Sequence, residues 1–181
     1  MLRDERRILV IGPSGAGKST LAIRLGRVLD LPVIHLDAHF WRPGWVPTPF
    51  EEWLPVHDEL MARPAWIIDG SYDRTLSRRL ERADAVLFLD FPKRVYRFGI
   101  VKRIAQSYGT VRPDTAPGCP EKIDPGFFRW VWSWERDVRP GIVDALERAP
   151  AGLAIHRLTS RREVAALLRA AGERAAGAAK E

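Results

Sequence analysis

Residues 12–20 read GPSGAGKST and join a short apolar run, RRILVI, to a stretch with Leu21, Leu25, Val28 and Leu29 on one helical face. Gly12, Gly17, Lys18 and Ser19 satisfy G-x-x-x-x-G-K-[ST] in the strand–loop–helix setting that gives this spacing its meaning. The glycines let successive backbone N–H groups curl inward around oxygens, and the helix that follows adds its positive end at the same place. Gly12, Ser14, Gly15, Ala16, Gly17, Lys18, Ser19 and Thr20 are therefore expected to hold the phosphates of a nucleoside triphosphate, ATP. Lys18 is expected to reach the β- and γ-phosphates, and the Ser19 hydroxyl to take one position on Mg²⁺.

The same alternation continues down the chain. LPVIHLD, AWIIDG, DAVLFLD and GLAIHRL read as further buried strands separated by helical patterns. Such a succession predicts right-handed crossovers and an α/β, three-layer P-loop NTPase fold with a five-stranded parallel sheet. Pro49 and Pro64 bracket a helix that contains Pro55, and FFRWVWSWERDVRPGIVDALERA reads as a helical hairpin or a helix kinked near Pro140. TVRPDTAPGCPEKIDPG, with four prolines and two glycines, is expected to be an irregular flap. With 181 residues and no repeat or long linker, one domain is expected over residues 1–171, with a fraying tail over 172–181. A single cysteine, Cys119, leaves no intrachain disulfide and no Cys-rich zinc cluster, as a reducing cytosol permits. The charged start and the lack of a long apolar stretch make the expected location cytoplasmic, with no membrane partner.

Ligands of a parallel sheet sit outside its carboxyl edge, and three strand ends carry aspartate: Asp37, Asp69 and Asp90. Each also suits a helix cap or a turn. HLDAHFWRPGW, residues 35–45, follows strand two as a loop unusually rich in rings. A phosphate-transfer site must exclude water. Phe40, Trp41 and Trp45 are expected to wall an acceptor, with Asp37 and His39 as polar contacts and Arg42 available for an anionic group. The alternative is that Trp41 and Trp45 only pack the next helix onto the sheet. His35 reads as a hydrogen-bonded core histidine, and His57 and His156 receive no functional reading.

Taken in order, GPSGAGKST, HLDAHFWRPGW, WIIDGSY, ADAVLFLDFP, RVYRFGIVKR with GTVRPD, and GCPEK before an aromatic helix make the chain similar to the adenylate-kinase-like small P-loop kinases. More narrowly, it resembles the bacterial group named DNA topology modulation protein, over about residues 7 to 165. The resemblance implies a nucleoside/nucleotide-kinase-like fold, an acceptor-binding segment over about 37–63 and a short lid over about 104–125. It places Asp69 where a carboxylate holds a Mg²⁺-bound water, and Asp37 where a carboxylate meets the acceptor hydroxyl as base. Arg103 and Arg112 match lid arginines that clamp the transferring phosphate. The chain departs from the Asp-Gly-Phe-Pro-Arg run of adenylate kinases. It reads Asp69-Gly70-Ser71-Tyr72-Asp73-Arg74, so AMP is in doubt and Arg74 is the nearest arginine for an acceptor phosphate. Arg74, Arg78 and Arg79 serve equally as the solvated side of a short helix.

The expected activity is thus ATP-dependent phosphoryl transfer to a nucleoside, nucleotide or other small hydroxylated acceptor. The net charge of +6 also admits a nucleic-acid-associated regulator that uses ATP as a switch. That partner is not favoured, because no nucleic-acid-binding motif is present. Monomer and homodimer stay equally open.

Overall fold

The structure, a computed structural model, describes Leu2 and residues 5–178. Its centre is a five-stranded parallel sheet of β1 (Arg7–Ile11), β2 (Val33–His35), β5 (Trp66–Asp69), β6 (Ala85–Leu89) and β7 (Ala154–Leu158), in the order β2-β5-β1-β6-β7. β1, β5 and β6 are continuous apolar runs because helices cover both faces. Ile8 to Ile11 and Ala85 to Leu89 are all essentially inaccessible to water. The three-layer α/β expectation is met.

β1 leads into α1 (Lys18–Leu29), which packs on β5, β1 and α8 (Arg161–Ala178). On another side, α4 (Leu76–Arg82) meets α7 (Arg139–Glu147), which packs in turn on α6 (Pro125–Asp137). α6 starts cleanly: Pro125 occupies its first turn, and the Asp124 carboxylate accepts from the Phe127 amide at 3.0 Å. The chain breaks at Val138, making α6 and α7 two helices rather than one kinked helix. Ser160 and Glu163 cap α8, the Glu163 amide donating to Ser160 Oγ at 3.3 Å. α8 runs to Ala178, so helix extends into the segment read as a tail; residues 179–181 lie outside the described residues.

Residues 35–45 are not an irregular loop. They form α2 (Leu36–Phe40), then β3 (Trp41–Arg42), which pairs antiparallel with β4 (Val46–Pro47). Strands of two residues leave no periodic trace in a sequence, and the hairpin turns through Gly44 and Trp45, both at positive φ (80° and 64°). α3 (Phe50–Ala62) continues through Pro55 because that residue lies on its exposed face, while Trp53, His57, Leu60 and Met61 form the buried stripe. α5 (Lys93–Ser107) ends at the flap. This segment is also more ordered than its prolines suggest, pairing Tyr108 with Glu121 and Val111 with Pro120. Among the described residues, no helix is long and apolar enough to cross a membrane.

Candidate active site

The loop between β1 and α1 is held open by its neighbours. Gly12 has φ 140°, and a Cβ there would sit 2.6 Å from the Leu89 carbonyl oxygen. A Cβ on Gly15 would fall onto the Tyr96 carbonyl, and one on Gly99 onto the Gly15 carbonyl, so α5 abuts the loop through two glycines. Ser71, just past β5, pins the start of the loop. Its hydroxyl donates to the Gly12 carbonyl at 2.8 Å and accepts from the Gly12 amide at 3.1 Å. The inner surface opens into a cleft of about 870 Å³, lined on this side by Gly12, Ser14, Gly15, Gly17, Lys18, Ser19 and Thr20. Ala16 is buried behind it, its amide donating to the Pro13 carbonyl at 3.2 Å.

Lys18, Asp37, Asp69, Arg103 and Arg112 all line this one cleft, although they come from α1, α2, β5, α5 and the flap. Burial holds the Lys18 ammonium below its ordinary pKa, opposed by the charges of Asp69 and Asp37 and assisted by those of Arg103 and Arg112. The Asp37 carboxyl is pushed up, first by burial and then by the Asp69 charge, although Tyr72, Lys18 and Arg112 pull the other way. The Tyr72 hydroxyl donates to Asp37 Oδ1 at 2.5 Å. One oxygen of Asp69 meets His35 Nδ1 at 2.9 Å, and the other is buried without a partner among the described residues. His35 is therefore hydrogen-bonded, as read, but to a cleft residue. Burial opposes its charge; the Asp69 hydrogen bond and the charges of Asp69, Asp114 and Asp37 outweigh this and raise its pKa.

The flap closes the other side. Buried Glu121 sits between two arginines, 2.9 Å from Arg103 Nη2 and 3.0 Å from Arg112 Nε. Arg112 also donates to Asp114 at 2.8 Å. Asp114 is buried, yet Arg112 and the Ser19 hydroxyl hold its pKa below the ordinary carboxylate value despite that burial. The flap is docked on the β3–β4 hairpin. The Trp45 indole donates to the Pro120 carbonyl at 2.8 Å, the Gly44 amide to the Gly118 carbonyl at 2.8 Å, and the Cys119 thiol to the Arg42 carbonyl at 3.2 Å.

Not every expected residue arrives. Phe40 packs behind the wall, edge-on to Trp41, Trp53 and Tyr72, while Trp41, Trp45 and Tyr72 face the cleft. Arg74 lies outside it, its guanidinium 3.9 Å over the Phe50 ring, so the acceptor contact expected of Arg74 has no place in this geometry. Arg79 is fully buried and donates to the carbonyls of Gly70 (2.5 Å), Ser71 and Tyr72 (2.8 Å); it is not a solvated helix residue. Asp90 is also structural. Arg139 grips both its oxygens at 2.8 Å and Arg157 reaches it at 2.7 Å. Sequence reading missed Ser71, Tyr72, Asp114, Glu121, Phe127 and Trp130 as cleft residues. For the four on the flap or beside β5, Ser71, Tyr72, Asp114 and Glu121, the only signal was their place inside a quoted motif.

The donor set suits a magnesium–triphosphate complex. Mg²⁺ prefers one or two protein oxygens plus phosphate and water over a full protein cage. Among the described residues, no group of three or more His, Cys, Asp or Glu side chains is placed to hold a metal ion. The Ser19 hydroxyl, the free oxygen of Asp69 and the nearby Asp114 supply what such an ion needs beside an open phosphate cradle.

No protein-family model matches the sequence. No curated protein matches it either. Solved structures do. The fold is similar to that of shikimate kinase from Acinetobacter baumannii in complex with shikimate, at 16% identity and TM-score 0.55, over 98% of this chain and 92% of that one. It is similar to shikimate kinase from Bacteroides thetaiotaomicron, at 18% identity and TM-score 0.53, over 93% and 97%. A gluconokinase from Sinorhizobium meliloti 1021 matches at 18% identity and TM-score 0.50, over 99% and 96%. None of these three is an adenylate kinase. At such identities the likeness establishes the fold alone: this is a five-stranded parallel P-loop fold of the kind these small kinases share.

Proposed function

We propose that the chain is an ATP-dependent phosphotransferase acting on a small hydroxylated acceptor. One observation carries this reading. Lys18, Asp37, Arg103 and Arg112, drawn from four separate segments, converge on one cleft beside the phosphate loop. The kinase names of the similar structures support it, and the order of motifs shared with the DNA topology modulation group supports a place near that group.

In this reading the acceptor hydroxyl oxygen bonds to the γ-phosphorus, the bond from that phosphorus to the bridging oxygen breaks, and ADP leaves. The Asp37 carboxylate orients the hydroxyl and takes its proton. Tyr72 holds Oδ1 of that carboxylate, which leaves Oδ2 for the acceptor. Lys18, Arg103 and Arg112 offset the charge on the transferring group. Ser19, with Asp69 and Asp114, would hold Mg²⁺, which when bound would supply further charge neutralisation. Trp41, Trp45 and the docked flap exclude water from the transfer.

The test is acceptor-dependent formation of ADP. Purified protein with Mg-ATP is expected to produce ADP faster with at least one hydroxylated compound than without. Lys18→Ala is expected to abolish that increment while keeping its circular dichroism spectrum. A rate that no acceptor raises above basal hydrolysis contradicts the reading.

A further inference from the structure

Given the phosphotransferase reading, the distribution of charge says what kind of acceptor the cleft takes. Two further segments line the cleft around Asp37: α2 to β4, and the turn after β5, whose Tyr72 bonds Asp37. What they present is Asp37, Trp41, Trp45, Tyr72 and Asp73: rings and carboxylates, with no cation.

These segments and the helices attached to them do contain arginines; Arg82, at the far end of α4, does not line the cleft, and the other four are held elsewhere. Arg42 pairs with Glu52 on α3. Arg74 lies over Phe50. Arg78 pairs with Asp58 at 3.2 Å. Arg79 is buried on three backbone carbonyls.

The cations that line the cleft come from other segments. Arg103, on α5, and Arg112, on the flap, are locked to Glu121. Lys102 follows Gly99, whose backbone abuts Gly15 of the phosphate loop. Arg161 follows β7, at the opposite edge of the sheet from β2. Lys122, on the flap, faces Asp124 at 3.8 Å.

A phosphate or carboxylate held against this wall would meet carboxylates and find no cation on these two segments to pair with. Such like-charge contact rejects a ligand rather than merely weakening it. Paired tryptophans, 5.6 Å apart and edge-on, with carboxylates beside them suit a flat or apolar face bearing neutral or positive polar groups.

We propose that the acceptor is an uncharged or cationic hydroxylated compound with no phosphate or carboxylate of its own. Nucleotide monophosphates and sugar acids are excluded by the wall, not simply left unrecognised.

The experiment compares kcat/KM for phosphoryl transfer across matched pairs. Nucleosides are set against their 5′-monophosphates, and glucosamine and neutral polyols against gluconate and shikimate. The expected result is transfer to neutral or cationic members, favoured over their anionic partners by about 100-fold or more. Equal or better transfer to the anionic members overturns the acceptor inference and leaves the phosphotransferase reading standing. No transfer to any member, with Mg-ATP still bound, removes both. A second variant tests the wall directly. Asp73→Lys, at an exposed position on the cleft, is expected to move the neutral-to-anionic ratio at least tenfold toward anions. A ratio that does not move overturns the assignment of acceptor selection to this wall.

Discussion

Asp37 is the residue on which the chemistry turns, and its environment explains why it suits a base. Burial and Asp69 raise its proton affinity, while the short bond from Tyr72 restrains that rise. Tyr72 stabilises the charged carboxylate, so removing its hydroxyl raises the Asp37 pKa further. Tyr72→Phe is therefore expected to move the acid limb of the kcat/KM profile to higher pH. Activity should fall most on the acid side, as read with any acceptor that turns over. Lys18→Ala is expected to lower kcat/KM by at least about 10²–10³-fold, the usual loss when one charge-stabilising donor is removed, which takes acceptor-dependent transfer below basal hydrolysis. Arg79 illustrates the limit of reading letters. Its burial, which lowers its pKa to about 10, comes from its position under the turn after β5. RTLSRRLER looks equally like a solvated helix.

The elements were legible in proportion to their regularity. β1, β5 and β6 announce themselves as apolar runs because both faces are covered, and α1 by its spaced leucines. The β3–β4 hairpin and the flap pairing are invisible to periodicity because tertiary contacts hold them, chiefly Trp45 to Pro120 and Gly44 to Gly118. The flap predicts its own test. Glu121 is the buried anion that keeps Arg103 and Arg112 side by side. Glu121→Gln is expected to lower kcat about ten- to a hundredfold with Mg-ATP affinity changed far less, as steady-state and calorimetric measurements resolve.

Asp90 makes the complementary case for stability. Burial would raise its pKa, but Arg139 and Arg157 hold it below the ordinary value. The native state thus favours the charged form, so the stabilisation is full above the unfolded pKa, about 4, and is lost as pH falls through the lower native value. Asp90→Asn is expected to cost about 2 kcal/mol at pH 7, since Arg157 is half exposed and its pairing is partly screened. Urea unfolding should show that gap shrink between pH 5 and pH 2.

At the scale of the molecule, topology does the positioning. With order β2-β5-β1-β6-β7, the phosphate loop leaves the central strand, and the ends of β5 and β2 carry Asp69 and the approach to Asp37 along one side. That much followed from strand succession and the motif after β1. The sequence could not show which arginines of a basic chain reach the cleft, because pairing decides it. Arg7, Arg42, Arg78, Arg139 and Arg157 are all matched to carboxylates of other elements.

The most direct measurement follows the label from γ-³²P-ATP through the purified protein in the presence of hydroxylated acceptors. If Lys18, Asp37 and the flap arginines act on one phosphoryl group, radioactivity appears covalently on an acceptor with the wild-type protein and not with Lys18→Ala. Label released only as inorganic phosphate, at a rate that no acceptor alters, contradicts the account.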